Sequence, residues 1–152
     1  MRYLAYYRHL MSSISPAIRD LAERLLASEP ARAASHNGDA DLAVRACERL
    51  RSPLTKLTGS AGFSSLLSRA LALAKRQAPA LDALRVAPDG SLMGLDELHN
   101  AIDIAGSQRQ GTAILLAELL GLLVTFIGAP LMLKLVREAW PEASSEILSL
   151  PT

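Results

Sequence analysis

The stretch AILLAELLGLLVTFIGAPLML, residues 113–133, holds one charged side chain, Glu118, among 21 positions. No other part of the chain approaches its apolar density, and water is a poor host for so much hydrocarbon. It must lie in a core, against another subunit or in a bilayer. A run of about 18 or more apolar residues is long enough to span a membrane. An acid at depth costs about 2.5–3.5 kcal/mol on insertion scales, while Leu115, Leu116, Leu119, Leu120, Leu122, Leu123, Leu131 and Leu133 each offset roughly 0.3–0.6 kcal/mol of it. Glu118 alone therefore does not exclude insertion.

The Gly128-Ala129-Pro130 step points the other way. It divides the run into a helix from a Thr112 cap to about residue 127, closed by Gly128, and a second helix from Pro130 to near Trp140-Pro141. In the second, Leu131, Leu135 and Val136 lie opposite Lys134, Arg137 and Glu138, the pattern of a helix resting on a protein core. The first is apolar all round, which is what a bundle places in its middle. The soluble reading is preferred, with a membrane span through 113–133 as the alternative. Glu118 is then expected at an interior edge, paired or near solvent.

Upstream, Ser15-Pro16 marks a helix start: the hydroxyl can cap and proline suits the first helical position. Ile18, Leu21, Ala22, Leu25 and Leu26 follow at helical spacing, with Arg19, Asp20, Glu23 and Arg24 on the opposite face, and Pro30 bars continuation. AASHNG, residues 33–38, is a loop by composition. Asp39 or Asp41 caps a second helix, with Leu42, Ala43, Ala46, Cys47 and Leu50 on one side and Arg45, Glu48, Arg49 and Arg51 pointing away. Ser52-Pro53 repeats the cap-plus-proline signal, so Leu54 and Leu57 are expected to open a new short segment, with Gly59 and Gly62 bracketing a turn. A further helix runs from about Phe63 to Gln77. It buries Phe63, Leu66, Leu67, Ala70, Leu73 and Ala74, leaves Arg69, Lys75 and Arg76 mostly wet, and stops before Pro79.

VAPDGSL, residues 86–92, places Pro, Asp and Gly for a tight turn between short extended arms, so a small β-hairpin is expected near residues 85–93. Leu95, Leu98 and Ile102 are in step for a short helix over 95–104, and AGSQRQG, residues 105–111, reads as a linker. The chain divides into an N-terminal segment (1–14), a single helical domain (15–141) and a loose C-terminal tail (142–152), with a short turn at 146–150.

A chain of 152 residues is long enough to bury a substantial core as one domain. Aromatics are only 4% while Ala and Leu abound, which favours helices over strands. The single cysteine, Cys47, excludes an internal disulfide framework and reads as a small buried hydrophobe. MRYLAYYRHLMSS at the N-terminus carries Arg2 and Arg8 among its apolar residues, so no export signal is visible and a cytoplasmic location is the default. Net charge is +1, but residues 1–85 hold 13 Lys and Arg against 7 Asp and Glu, and residues 86–152 hold 3 against 8. Two solvated faces of one domain account for this; a basic surface for an acidic partner, or head-to-tail pairing between subunits, is the sharper alternative.

Nothing in the pattern assembles a catalytic constellation. His9, His36 and His99 fall on an N-terminal segment, a loop and a short helix, none with a second ligand at metal spacing. Asp96 and Glu97 occupy adjacent helix positions that point apart. Ser60, Ser64 and Ser65 lack a placed base, and no Gly-rich phosphate loop follows a strand. A nucleic-acid site would rest on Arg45, Arg49, Arg51, Lys56, Arg69, Lys75 and Arg76 without interleaved aromatics or a recognition helix, so nucleic acid is disfavoured. No cofactor, metal or small-molecule substrate is indicated.

Leu57-Thr58-Gly59-Ser60-Ala61-Gly62, followed by Leu66, resembles the helix motif of histidine phosphotransfer domains, roughly His-x-Leu-Lys-Gly followed by small residues. Those domains are four-helix bundles that carry phosphate on the histidine. Thr55 stands here at the histidine position and Thr58 at the lysine position. The resemblance covers under ten residues and implies a docking bundle without a phosphoryl acceptor.

The expected fold is mainly α: a compact bundle of five to seven helices around a Leu-rich central helix. The expected function is non-enzymatic, acting through contacts with a protein partner or a second copy, with a homodimer favoured. The candidate contact surface is Leu116, Leu119, Leu120, Leu123, Phe126, Leu131, Leu135 and Trp140. The candidate basic surface is Arg45, Arg49, Arg69, Lys75 and Arg76.

Overall fold

The computed structural model describes residues 14–29, 38–94, 97, 107–143 and 148. These form helix α1 (Pro16–Ser28), helix α2 (Gly38–Gln77), a 3-10 turn (Pro79–Leu81), strands β1 (Arg85–Val86) and β2 (Leu92–Met93), helix α3 (Ser107–Ile127) and helix α4 (Ala129–Ala139). The protein is mainly helical, with four α-helices and one two-stranded antiparallel hairpin among the described residues. Five to seven separate helices are not seen there. The three histidines, Asp96, the loop at 33–37 and the N-terminal segment up to residue 13 lie outside the described residues. So do the helix expected at 95–104, apart from Glu97, and the tail beyond 143, apart from Leu148.

α1 follows from its sequence. The Ser15 hydroxyl accepts a hydrogen bond from the Ile18 amide at 3.2 Å, satisfying one of the orphan N–H groups of the first turn. Ile18, Leu21, Ala22, Leu25 and Leu26 are all buried. The helix ends at Glu29, in extended conformation immediately before Pro30.

α2 differs from expectation. Its helix continues through Pro53, where a break was expected at Ser52-Pro53. Proline in a helix interior costs about 3 kcal/mol. Leu50 and Leu54 flank it with no exposed surface, and burying two such side chains returns roughly 1.5–3 kcal/mol each. Continuity of the buried face outweighs the lost hydrogen bond. The real break is at Gly59, where φ is 77° and ψ is 167°, a region that glycine alone occupies freely. Gly59 divides α2 into a first limb (38–58) and a second limb (60–77). The second limb buries Phe63, Leu67, Ala70, Leu71 and Ala74, with Leu66 and Leu73 partly covered.

AGSQRQG is not a linker over its described part, because α3 begins at Ser107. Gly111 is a packing position: a Cβ there would sit 2.9 Å from Leu81 Cδ2 in the 3-10 turn. Thr112, expected as a cap, lies inside α3 and is 2% exposed. Residues 111–123 are buried one after another, so the chain's own α2 and α1 wall most of the long apolar run. The run leaves the core at Val124. It turns at Gly128 (φ 84°) into α4, which starts at Ala129, carries Pro130 in its first turn and buries Met132, Leu135, Val136 and Ala139.

β1 and β2 pair with Arg85 opposite Met93 and Val86 opposite Leu92. The turn between them is closed by Ala87 N–H to Ser91 O and Gly90 N–H to Ala87 O, both 2.8 Å. So small a ribbon needs support. It gets this from the second limb of α2, where the Ser64 hydroxyl donates to Ala87 O at 3.3 Å.

Candidate functional site

Three polar joints tie the helices together. The first gathers the ends of α1 and α4 on the first limb of α2. Glu29 is buried, and Arg49 Nε meets its Oε1 at 2.5 Å while Trp140 Nε1–H donates to the same oxygen at 2.9 Å. Arg49 Nη1 donates to Ala139 O at 3.0 Å, at the carbonyl-rich end of α4, and Nη2 pairs with Glu142 at 2.6 Å. The guanidinium also lies 5.6 Å from the centre of the Trp140 ring. Burial works against the Arg49 charge, but hydrogen bonds and attraction from Glu29 and Glu142 outweigh it and raise its pKa. Glu142 is held below its ordinary value by its own backbone N–H and then by Arg49.

The second joint clasps the bend of α2. Arg51 Nε and Nη2 make a bidentate pair with Glu48, each at 2.9 Å, and Nη1 donates to Asp89 O at the hairpin tip at 2.5 Å. The same guanidinium sits 5.2 Å from the centre of the Phe63 ring on the second limb. Asp89 in turn accepts from the Ser91 hydroxyl and, at 2.9 Å, from the Ser91 amide, and both lower its pKa.

The third joint is inside. Glu118 has no exposed surface, and Gln77 Nε2, on the last turn of α2, donates to its Oε1 at 2.6 Å. The one acid of the apolar run is thus fully interior and hydrogen-bonded, deeper than the interior edge expected of it.

Cys47 is buried, and its thiol is pushed up to about 12 by burial and then by Glu48, with Arg51 acting against them. It is held as a thiol rather than a thiolate nucleophile. Among the described residues no three His, Cys, Asp or Glu side chains converge as a metal site.

The residues singled out from sequence divide clearly. Leu116, Leu119, Leu120 and Leu123 lie in the chain's own core, as do Leu135 and Trp140. Leu131 is partly exposed, and Phe126, at 63% exposed, is the outermost of the set. Phe126 shares the α3–α4 corner with partly buried Val124 and Ile127 and with exposed Pro130. Arg69 and Arg76 are exposed, and Arg45 and Lys75 half-buried. Arg49 is engaged in the first joint rather than displayed. Sequence reasoning missed Glu29 and Gln77. Pro30 marks Glu29 as a helix end, but no local pattern joins it to a tryptophan 111 positions away. Compared with protein-family models, curated proteins and solved structures, the chain matches none.

Proposed function

We propose that this protein is a non-enzymatic, cytoplasmic interaction module that works by protein contacts and associates with itself. The observation that carries the reading is the α3–α4 corner, where Phe126 is left 63% exposed at the point where the apolar run emerges from the core. A phenylalanine in water forgoes roughly 1.5–3 kcal/mol of burial, and a second copy bringing its own corner would recover that on both sides. The polar groups support the same reading: Glu29, Arg49, Arg51 and Gln77 serve to brace helices. The helix count of the expected bundle, and the central place of its Leu-rich helix, belong to this proposal.

The alternative is a membrane span, resting on an 18-residue window, Gln110–Ile127, of mean hydropathy 1.8. That window is 72% buried by the protein itself, which favours a core helix. For the phosphate-incompetent docking bundle, the break at Gly59 interrupts the helix where the phosphotransfer family keeps it continuous, and this weighs against it.

Light scattering over a wide concentration range tests the reading. The natural chain is expected to approach dimer mass with rising concentration, and Phe126→Asp to shift it towards monomer. A mass that stays monomeric throughout overturns self-association. Extraction from cells by detergent alone, resisting alkaline carbonate, overturns the soluble reading.

A further inference from the structure

The bend at Gly59 is sharper than a kink in a continuous rod. On a straight helix Arg51 and Phe63 would stand about 18 Å apart along the axis, and both side chains would lean towards the N-terminus, so Arg51 would lean away from Phe63. They meet instead at 5.2 Å, with Gly90 of the hairpin tip against both. Thr58 and Gly62 tell the same story. Cβ atoms four apart on a regular helix are about 5–6 Å from each other. A Cβ built on Gly62 would lie 2.6 Å from Thr58 Cβ. One residue, Gly59, therefore turns the chain between two helical limbs with no loop between them. Its own Cβ position is open, with nothing within 4 Å, so only its backbone angles hold it to glycine.

A connection this short, in a glycine-only conformation, between two stretches that each favour helix, suits exchange between copies. We propose that Gly59 is an exchange hinge: two copies straighten α2 into one helix about 60 Å long and trade everything before Gly59. Each half of the resulting dimer rebuilds the monomer's joints between chains. Arg49 and Glu29 of one copy dock on Ala139, Trp140 and Glu142 of the other, and Arg51 docks on the other copy's hairpin tip. The partner is a second copy of this chain, and no new surface has to be made. The proposal rests on the self-association reading but is independent of the Phe126 corner.

Both forms share the same contacts, so the equilibrium is set by the hinge and by the entropy of pairing two chains, and hinge variants move only the first. Gly59→Ala removes the bent geometry's preferred residue and adds helix propensity, together favouring each straight hinge about thirtyfold and the two-hinge dimer about a thousandfold. Three glycines inserted after Gly59 relax the turn and favour the monomer. The test is light scattering on the natural chain, Gly59→Ala, the insertion and Phe126→Asp, with native mass spectrometry of mixed isotope-labelled and unlabelled chains. The expected result is a dimer constant about a thousandfold tighter for Gly59→Ala, loss of the slowly mixing exchanged dimer in the insertion, and subunit mixing in the others as slow as unfolding, because exchange must open the core. A folded Gly59→Ala with an unchanged dimer constant overturns the hinge. Should Gly59→Ala not fold, a dimer that persists undiminished in the insertion overturns it equally. A dimer weakened by Phe126→Asp yet indifferent to both hinge variants leaves self-association standing and removes the hinge. A natural chain that is monomeric at every concentration removes both.

Discussion

Replacing Arg49 by methionine keeps most of the side chain's length and apolar stem while removing every contact its guanidinium makes. Four interactions go at once: the 2.5 Å pair with Glu29, the 3.0 Å hydrogen bond to Ala139 O, the 2.6 Å pair with Glu142 and the stacking over Trp140. The pair with Glu142 is exposed on the acid's side, where water screens it, and is worth little. Glu29 dominates, because its side chain is 1% exposed and keeps the Trp140 Nε1–H hydrogen bond but loses its countercharge. Stranding one member of a buried pair costs about 3–5 kcal/mol. Arg49 is itself 25% exposed, so water reaches the site, and the expected loss is at the lower end, about 3 kcal/mol. For a chain of this size that is a fall in Tm of roughly 6–12 °C.

The chain's one tryptophan reports directly, since Trp140 is fully buried in the joint and becomes solvated on unfolding. Urea titrations followed by its fluorescence therefore give the stability difference at the site of the change. The double variant Glu29→Gln with Arg49→Met recovers part of the loss, because the neutral amide escapes the stranded charge and its oxygen still accepts from Trp140 Nε1–H. A loss below about 1 kcal/mol for Arg49→Met, or strict additivity in the double variant, refutes the reasoning.

Gln77→Ala removes the 2.6 Å donor to the interior carboxyl of Glu118 and lowers stability by about 1.5–3 kcal/mol in the same titration. Cys47 stays unreactive towards a thiol-specific chromogenic disulfide in native buffer and reacts once urea unfolds the chain, because burial and Glu48 hold its pKa near about 12. Since the folded pKa of Glu142 lies below its ordinary 4.5, its contribution is present above that value and is lost as pH falls through the lowered one. Glu142→Gln is therefore less stable than the natural chain at pH 7, and the gap narrows as the titrations are taken to acid pH, below the lowered value.

Much of the architecture is legible in local chemistry. Ser15-Pro16 caps α1, Gly128 and Pro130 divide the apolar run, and the Pro-Asp-Gly turn places the hairpin, since each acts within a few residues. Pro53 and the AGSQRQG segment misled for one reason. Both carry helix-breaking residues whose local cost is overruled by burial, of Leu50 and Leu54 in one case and of Gly111 against Leu81 in the other. The joints were not legible. Arg49 shows a basic residue on the outward side of a helix, and only the folded chain brings the ends of α1 and α4 to it. The sequence does not separate Phe126 from Leu116, Leu119, Leu120 and Leu123, because a helix apolar all round gives no clue to where its cover stops.

The contact between Glu29 and Trp140 also bears on how the chain reaches and leaves its fold. It closes a loop of 111 positions, whereas Arg51 meets Phe63 across the α2 bend and Arg85 pairs with Met93 in the hairpin over about a dozen positions or fewer. Loop-closure entropy grows with separation, so the near contacts form first and the Glu29–Trp140 contact is among the last. Interactions absent from the transition state act on the unfolding rate and leave the folding rate almost untouched. The part of the joint that reaches α4, where Glu29 holds Trp140 and Arg49 holds Ala139, is thus a latch in time as well as in space: it acts on how long the folded chain lasts more than on how fast it arrives.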